Sequence, residues 1–121
     1  MPGIIGKLFP NPSDMVTLMF SVTNAPSQDS IKTIPANAYI WQVSFEPTIA
    51  YSAGATVKIG RATSLDLLMT TAQNTPQNLN MIYVKNFWAL AWGGTTLVVR
   101  TTISGTPALG AGTVTIKYSL V

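Results

Sequence analysis

The residues that could carry out acid–base chemistry are few in this sequence, and they are widely spaced. The four acids are Asp14, Asp29, Glu46 and Asp66. A glycosidase needs two carboxyl groups within roughly 5 to 9.5 Å of each other, and a calcium loop needs several acids at short intervals. The spacing of the acids indicates neither kind of site. We interpret Asp14, Asp29 and Glu46 as turn or surface residues.

Nucleophilic chemistry has equally little support. Histidine and cysteine are both absent, so the chain has no imidazole base, no thiolate and no disulfide. The serines lie in no Gly-x-Ser-x-Gly motif. Gly110-Ala111-Gly112 resembles the start of a phosphate loop, but a β-patterned segment follows it where phosphate binding needs a helix, and we predict a hairpin turn there. The sequence therefore predicts a protein that is not an enzyme and that holds no metal and no cofactor.

The most unusual segment, residues 87–92, reads Phe-Trp-Ala-Leu-Ala-Trp and would be apolar on both faces of a strand. Two interpretations are open: a central strand covered on both sides, or a strand with one face against another subunit. A carbohydrate platform built from Trp88 and Trp92 is a third, because aromatic rings with a polar N–H suit wet interfaces. The candidate partner contacts in this segment are its large side chains: Phe87, Trp88, Leu90 and Trp92.

Residues 1–14 stand apart from the rest of the chain. Pro2, Pro10 and Pro12 make the segment a poor strand and a poor helix. We interpret it as an extended arm that reaches outside the domain; a disordered terminus is the alternative. A disordered tail gains nothing from large apolar side chains, and this segment carries four that we predict to dock on a partner: Ile4, Ile5, Leu8 and Phe9.

The elements that would position these residues are strands. Alternation of apolar and polar residues predicts strands at 15–23, 31–34, 39–45, 55–59, 82–85, 97–103 and 113–120. In the segment 39–45, the alternation places Tyr39, Trp41, Val43 and Phe45 on one face. Residues 24–30 are predicted to form a loop, residues 65–69 either a strand or a helical turn, and residues 71–80 a polar loop long enough to carry an interface.

Seven or eight short strands separated by turns, without an amphipathic helix, indicate an all-β fold. We predict a single antiparallel β-sandwich or jelly roll over residues 15–121, preceded by the arm at 1–14. Charged residues make up 9% of the chain and hydrophobic ones 47%, with a mean hydropathy of +0.33. A surface so poor in charge favours burial against other subunits, and we expect an oligomer.

The net charge is +3, and the cations are scattered singly along the chain. Nucleic-acid binders usually concentrate basic residues on one face, so no specific nucleic-acid partner is predicted. No run approaches the roughly 20 apolar residues that a membrane span requires, and no membrane partner is predicted either.

Two segments resemble small virion proteins of tailed bacteriophages. Residues 54–66, Gly-Ala-Thr-Val-Lys-Ile-Gly-Arg-Ala-Thr-Ser-Leu-Asp, are similar to a "tv-x-IG-x-a" strand of these β-sandwiches. Residues 102–118, Thr-Ile-Ser-Gly-Thr-Pro-Ala-Leu-Gly-Ala-Gly-Thr-Val-Thr-Ile-Lys-Tyr, are similar to their closing "isGt…G-x-v-x-v-x-Y" hairpin. These motifs recur in capsid decoration proteins and in head or tail fibre domains. The resemblance covers roughly residues 38–121.

The resemblance implies a virion structural protein, often trimeric, that is made in the host cytoplasm. Its leading implication is a decoration (cement) protein on the capsid surface, which oligomerises there and stabilises contacts between subunits of the major capsid protein. The alternative is a fibre or spike domain that binds a host receptor or glycan. An enzyme on the same fold, such as a polysaccharide depolymerase, is the weakest of the three because the catalytic residues are missing.

Overall fold

The computed structural model describes residues 15–120. Its eight strands are β1 (Val16–Val22), β2 (Ser27–Ile34), β3 (Tyr39–Ile49), β4 (Thr56–Arg61), β5 (Ser64–Met69), β6 (Tyr83–Ala91), β7 (Leu97–Ser104) and β8 (Ala111–Ser119). One 3-10 turn, Thr71–Gln73, lies between β5 and β6. The strand count agrees with the alternation pattern of the sequence, and the ambiguous segment at 65–69 is a strand.

The strands pair as a long two-stranded ribbon that is rolled up on itself. β1 pairs with β8, β2 with β7, β3 with β6 and β4 with β5, each pair antiparallel. Pairing of β3 with β8 and of β4 with β7 closes the roll into two four-stranded sheets, β1-β8-β3-β6 and β2-β7-β4-β5. This strand order is that of a jelly roll, and the predicted all-β sandwich is confirmed.

The core lies between the two sheets and is made of the inward-facing residues of each strand. Val57 and Ile59 of β4 are fully buried, and so are Val114 and Ile116 of β8. Alternation within the predicted strand 55–59 assigns Val57 and Ile59 to the inner face, and Val114 and Ile116 alternate with polar residues in the predicted strand 113–120. Burying each such side chain contributes about 1.5–3 kcal/mol, which is how a chain without disulfides holds this fold together.

A bulge changes which residues of β3 face the core. Against β8, Ile40 and Gln42 pair with the consecutive residues Tyr118 and Lys117, so Trp41 is an extra residue in β3. The register against β6 shifts at the same place. A shift of one position moves side chains to the opposite face. Ile40 is therefore buried, whereas Tyr39 is 39% exposed. The prediction that Tyr39 shares the inner face with Val43 was wrong for this reason.

Two other predictions about strand placement also need correction. Residues 27–30, predicted as loop, are the start of β2, where Asp29 pairs with Arg100 across the ladder. The segment 87–92 is not a central strand covered on both sides, because β6, which contains most of it, is the last strand of its sheet. An edge strand presents unpaired backbone groups along one side, and this makes the surface around β6 the first place to look for a partner.

Candidate docking surface

The outward side of β6 is unusually apolar for an edge strand. Ile82, just before the strand, is 59% exposed, Val84 is 51% exposed and Trp88 is 70% exposed. Asn86 is exposed between them. At about 3.3 Å per residue these four side chains span roughly 20 Å, and we call them the β6 stripe. Edge strands are usually protected by charge, and this stripe carries none.

The sheet face beside the stripe is also nearly neutral. Strand register aligns Val84 with Ser44, then Thr115, then Met19 in one row across the sheet. The next row aligns Asn86, Gln42, Lys117 and Thr17, and Gln42 Nε2 donates to Asn86 Oδ1 at 2.9 Å. Lys117 is the single charge in these two rows. A face of hydroxyls, amides and apolar side chains can be buried against a partner at little desolvation cost.

Trp88 is held in place by a second tryptophan. Its ring stands edge-on to Trp41, with centroids 5.8 Å apart and planes at 79°. Trp41 Nε1 donates to Ser119 Oγ at 2.9 Å, and Ser119 is buried. Trp41 is thus fixed to the end of β8, and it braces the exposed ring. An aromatic side chain that is already ordered loses little rotamer freedom on binding.

The four predicted partner contacts of segment 87–92 differ in how much of each side chain is exposed. Trp88 is exposed, whereas Phe87 and Leu90 are half-buried and pack against the core. Trp92 has no exposed surface, which corrects its assignment as a partner contact and removes the carbohydrate platform that needed it beside Trp88. The predicted arm contacts Ile4, Ile5, Leu8 and Phe9 lie outside the described residues.

Trp92 is buried because the chain turns into the core directly after β6. Its backbone N–H donates to Ala38 O at 2.9 Å. The Arg61 guanidinium lies over its ring, 5.5 Å from the centroid, and donates to Trp92 O. Gly93 follows with φ +117°, a conformation that favours glycine. The strand alternation that predicted an outward Trp92 ends at this turn.

An apolar cluster that the sequence pattern did not predict lies at the end of the sandwich where β6 begins. Asn80 N donates to Pro47 O at 2.9 Å, which holds the loop before β6 beside the end of β3. The cluster comprises side chains that are each more than half exposed: Ile49, Leu79, Met81 and Ile82. Ile82 joins it to the β6 stripe. The signal in the sequence was the presence of Leu79 and Met81 next to asparagines in a segment predicted to be a polar loop and its end.

The polar loop at 71–80 largely serves the fold. Asn74 is buried, and its Nδ2 donates to Val57 O at 2.9 Å. Gln77 Nε2 donates to Ser52 O at 3.1 Å and to Ala55 O at 3.0 Å. These amides satisfy backbone carbonyls of β4 and of the turn that leads into it. Their side-chain donors are therefore committed inside the domain, and the loop's role as an interface stays a prediction.

Two ionisable side chains, Asp29 and Tyr51, have shifted pKa values whose causes lie in contacts within the fold. Asp29 accepts from Arg100 Nε at 2.8 Å and from Arg100 Nη2 at 3.1 Å, and this hydrogen bonding holds the pKa of the carboxyl below its usual value. Burial raises the pKa of Tyr51 to about 12.

Over residues 15–120, no three His, Cys, Asp or Glu side chains gather into a group that could hold a metal ion. That part of the chain also contains no helix long and apolar enough to cross a membrane.

No protein-family model matches the sequence, and no curated protein matches it. Solved structures do share its fold. The chain is similar to one in the Cyanophage Pam1 capsid asymmetric unit, with 19% identity and a TM-score of 0.61 over 88% of this chain and 82% of the other.

Two more capsid structures contain similar chains. One is the acidic stable capsid structure of Helicobacter pylori bacteriophage KHP30, with 14% identity and a TM-score of 0.64 over 88% of this chain and 87% of the other. The second is the capsid of Ralstonia phage GP4, with 13% identity and a TM-score of 0.64 over 93% and 90%. At these identities the likeness is one of fold, and it extends over most of each chain.

Proposed function

We propose that this chain is a structural protein of a bacteriophage virion, and that it acts as a decoration (cement) protein on the outer surface of the capsid. The observation that carries the proposal is the fold match over 82–90% of the other chain in three phage capsid structures. A shared fold alone does not fix a function, so the surface must also suit the role.

The surface suits a protein that binds in many copies. The β6 stripe and the neutral rows beside it offer an apolar contact without strong charges, and the exposed Trp88 gives that contact an ordered anchor. Aromatic anchors with a surrounding polar rim are typical of protein interfaces. On a capsid, many modest contacts add through multivalency, and no single contact has to be strong.

In this proposal the stripe rests on the major capsid protein where its subunits meet. The chain assembles there as a homo-oligomer, which we propose to be a trimer. The four apolar residues of the N-terminal arm, Ile4, Ile5, Leu8 and Phe9, supply the second contact, either with the coat or with a neighbouring copy. Each copy then bridges coat subunits and opposes their separation under internal pressure.

Co-sedimentation with capsids tests the proposal. Purified protein is mixed with phage capsids assembled without it, and the pellet is assayed for bound protein. Saturable binding, with a fixed number of copies per capsid and a higher temperature of capsid disruption, is expected. Binding to purified tails but not to capsids would contradict a decoration role.

A fibre or spike domain that binds a host glycan is the second candidate. The observation in its favour is the 70% exposure of Trp88 on a jelly roll, a fold that also occurs in lectins. The burial of Trp92 weakens it, because only one tryptophan of the proposed pair is left for stacking. A glycan array distinguishes the two candidates: specific binding that is lost in Trp88→Ala supports the fibre role, and an array without binders counts against it.

A further inference from the structure

A groove opens on the side of the sandwich opposite the β6 stripe. It lies between β1, the edge strand of one sheet, and β2, the edge strand of the other. Its volume is about 630 Å³, and it is lined by residues 17–21 and 29–32. Among the described residues β1 pairs only with β8, so one side of its backbone has hydrogen-bonding groups available for a further strand.

The groove wall on β2 is shaped by a bulge. The register of β2 against β7 shifts between Asp29 and Thr33, and Ile31 within the shift is 98% exposed. The bulge is fixed, since Ser30 Oγ accepts from Val99 N at 3.0 Å and donates to Lys32 O at 2.6 Å. The hydrogen bonds of the buried Ser30 therefore keep the side chain of Ile31 exposed at the mouth of the groove.

Three further apolar side chains line the groove, among polar ones from both strands. Met19, on β1, is 63% exposed. Phe20 is only partly buried and packs against the core, and Leu18 beside it is buried. An extended segment laid along β1 would gain backbone hydrogen bonds from the strand edge and apolar contacts with Met19, Phe20 and Ile31. This is the β-augmentation mode of recognition, in which side chains of the added strand supply specificity.

The first 14 residues of the chain include an apolar segment that suits the groove between β1 and β2. In an extended strand Ile4, Gly6 and Leu8 share one face, which is therefore entirely apolar. That face suits the side of the groove at Phe20. On such a strand Lys7 would belong to the opposite face, where its ammonium group can stay in water. The spacing of apolar residues in the arm thus fits strand addition along β1.

The prolines of the arm disfavour a tight hairpin back onto the chain's own β1. A two-residue hairpin back onto the chain's own β1 would place Pro12 at the first turn position, where the favoured I′ and II′ turns require φ > 0. Proline fixes φ near −65°, and it also restricts the residue before it to extended conformations. The run Phe9-Pro10-Asn11-Pro12 therefore does not favour a tight hairpin and suits an arm that reaches a second copy.

The arm is long enough to reach another copy. Residues 10–14, which join the proposed strand to the domain, span up to about 17 Å when extended, compared with a radius of gyration of about 13 Å expected for a domain of this size. We propose that residues 4–9 of one copy add as a strand to β1 of a second copy, in the groove between β1 and β2. This contact is head-to-tail, and such contacts form closed rings when the rotation closes.

Cysteine crosslinking tests this exchange on a clean background, because the chain has no cysteine of its own. Leu8→Cys in a size-tagged copy is co-expressed with Ile31→Cys in an untagged copy, and the oxidised product is analysed on a non-reducing denaturing gel. A linked product containing both sizes is expected. The matched control replaces Ile31→Cys by Asn86→Cys on the opposite edge, and at least tenfold less linked product is expected there.

A double variant separates exchange from self-docking. In Leu8→Cys/Ile31→Cys, exchange gives chains linked into multimers, whereas an arm docked on its own β1 gives a monomer with an internal disulfide. The internal disulfide, equal linkage to Asn86→Cys, or no linkage in either experiment would overturn the proposal. Sedimentation of a chain lacking residues 1–14 should show loss of the oligomer, and an unchanged oligomer would also overturn it. Self-assembly is measured without capsids, so a failed capsid-binding experiment leaves this result standing.

Discussion

Trp88 meets Trp41 edge-on, with ring centroids 5.8 Å apart, at the place where β3 and β6 both depart from regular strand pairing. Between the paired positions Ile40–Leu90 and Gln42–Asn86, β3 has one intervening residue and β6 has three. The extra length of β6 carries Trp88 out of the sheet. The most exposed aromatic ring in the described chain is thus a product of mismatched strand lengths, braced by the one residue opposite.

Replacing Trp88 with alanine should weaken capsid binding without unfolding the domain. An ordered aromatic anchor at an interface contributes about 2 kcal/mol or more, so we expect at least a roughly 30-fold loss of affinity in the co-sedimentation assay. The melting temperature should change little, because Trp88 is 70% exposed. Unchanged capsid binding by a folded Trp88→Ala variant would remove the β6 stripe from the interface.

Trp92→Ala is the matched substitution at a buried tryptophan of the same segment. Here the expected loss is in stability, about 3–5 kcal/mol for removing a fully buried tryptophan, since Trp92 has no exposed surface and Arg61 packs on its ring. Urea denaturation measures it. A loss below about 1 kcal/mol would show that the ring is not packed as described.

Gly60→Ala should destabilise the domain because of close backbone contact. A Cβ at this position would lie 2.2 Å from Ser64 O and 2.6 Å from Leu65 C, both backbone atoms of the neighbouring strand. Overpacking of this kind costs about 1–3 kcal/mol. Gly94→Ala is the control, because a Cβ there meets nothing within 4 Å. Equal stability of the two variants would contradict the close approach of β4 and β5 at Gly60.

Ionisation of Tyr51 should lower the free energy of unfolding at alkaline pH. Its hydroxyl is buried and donates to Thr23 O at 2.9 Å, and its pKa is raised to about 12. The unfolded chain releases this proton near pH 10, so the stabilisation is complete below pH 10 and is lost as the pH rises towards 12. By linkage the loss amounts to about 2–3 kcal/mol.

Tyr51→Phe isolates that effect from other groups that titrate at high pH. The variant lacks the hydroxyl, and its stability should decline less steeply than that of the wild type between pH 10 and 12. Chemical denaturation at a series of pH values measures both slopes. Parallel curves would mean that Tyr51 ionises as readily in the folded protein as in the unfolded chain.

The parts of the fold that sequence reasoning found are those set by local alternation. The inner face of β4 was predicted because Val57 and Ile59 alternate with polar residues, and only one register buries both. Tyr39 was misplaced because the bulge at Trp41 depends on what β6 and β8 place opposite it. Pairing between distant strands leaves no periodic trace in either segment.

The candidate surface was found only in part for a similar reason. The unusual composition of residues 87–92 pointed to Trp88, but the same pattern assigned Trp92 to the surface. Its burial depends on the turn after β6, where Asn37 N donates to Gly93 O at 2.7 Å and fixes the chain against a loop far away in sequence. The edge position of β6 likewise follows from the rolled strand order, which alternation alone does not specify.

A cryo-electron microscopy map of the assembled virion tests the decoration role most directly. Copies of this jelly roll are expected on the outer shell at the junctions of coat subunits, with Trp88 and the rest of the β6 stripe buried against the coat. Density for the protein only at the tail would contradict a decoration role. Copies on the shell whose β6 stripe faces solvent would contradict the docking surface assigned to it.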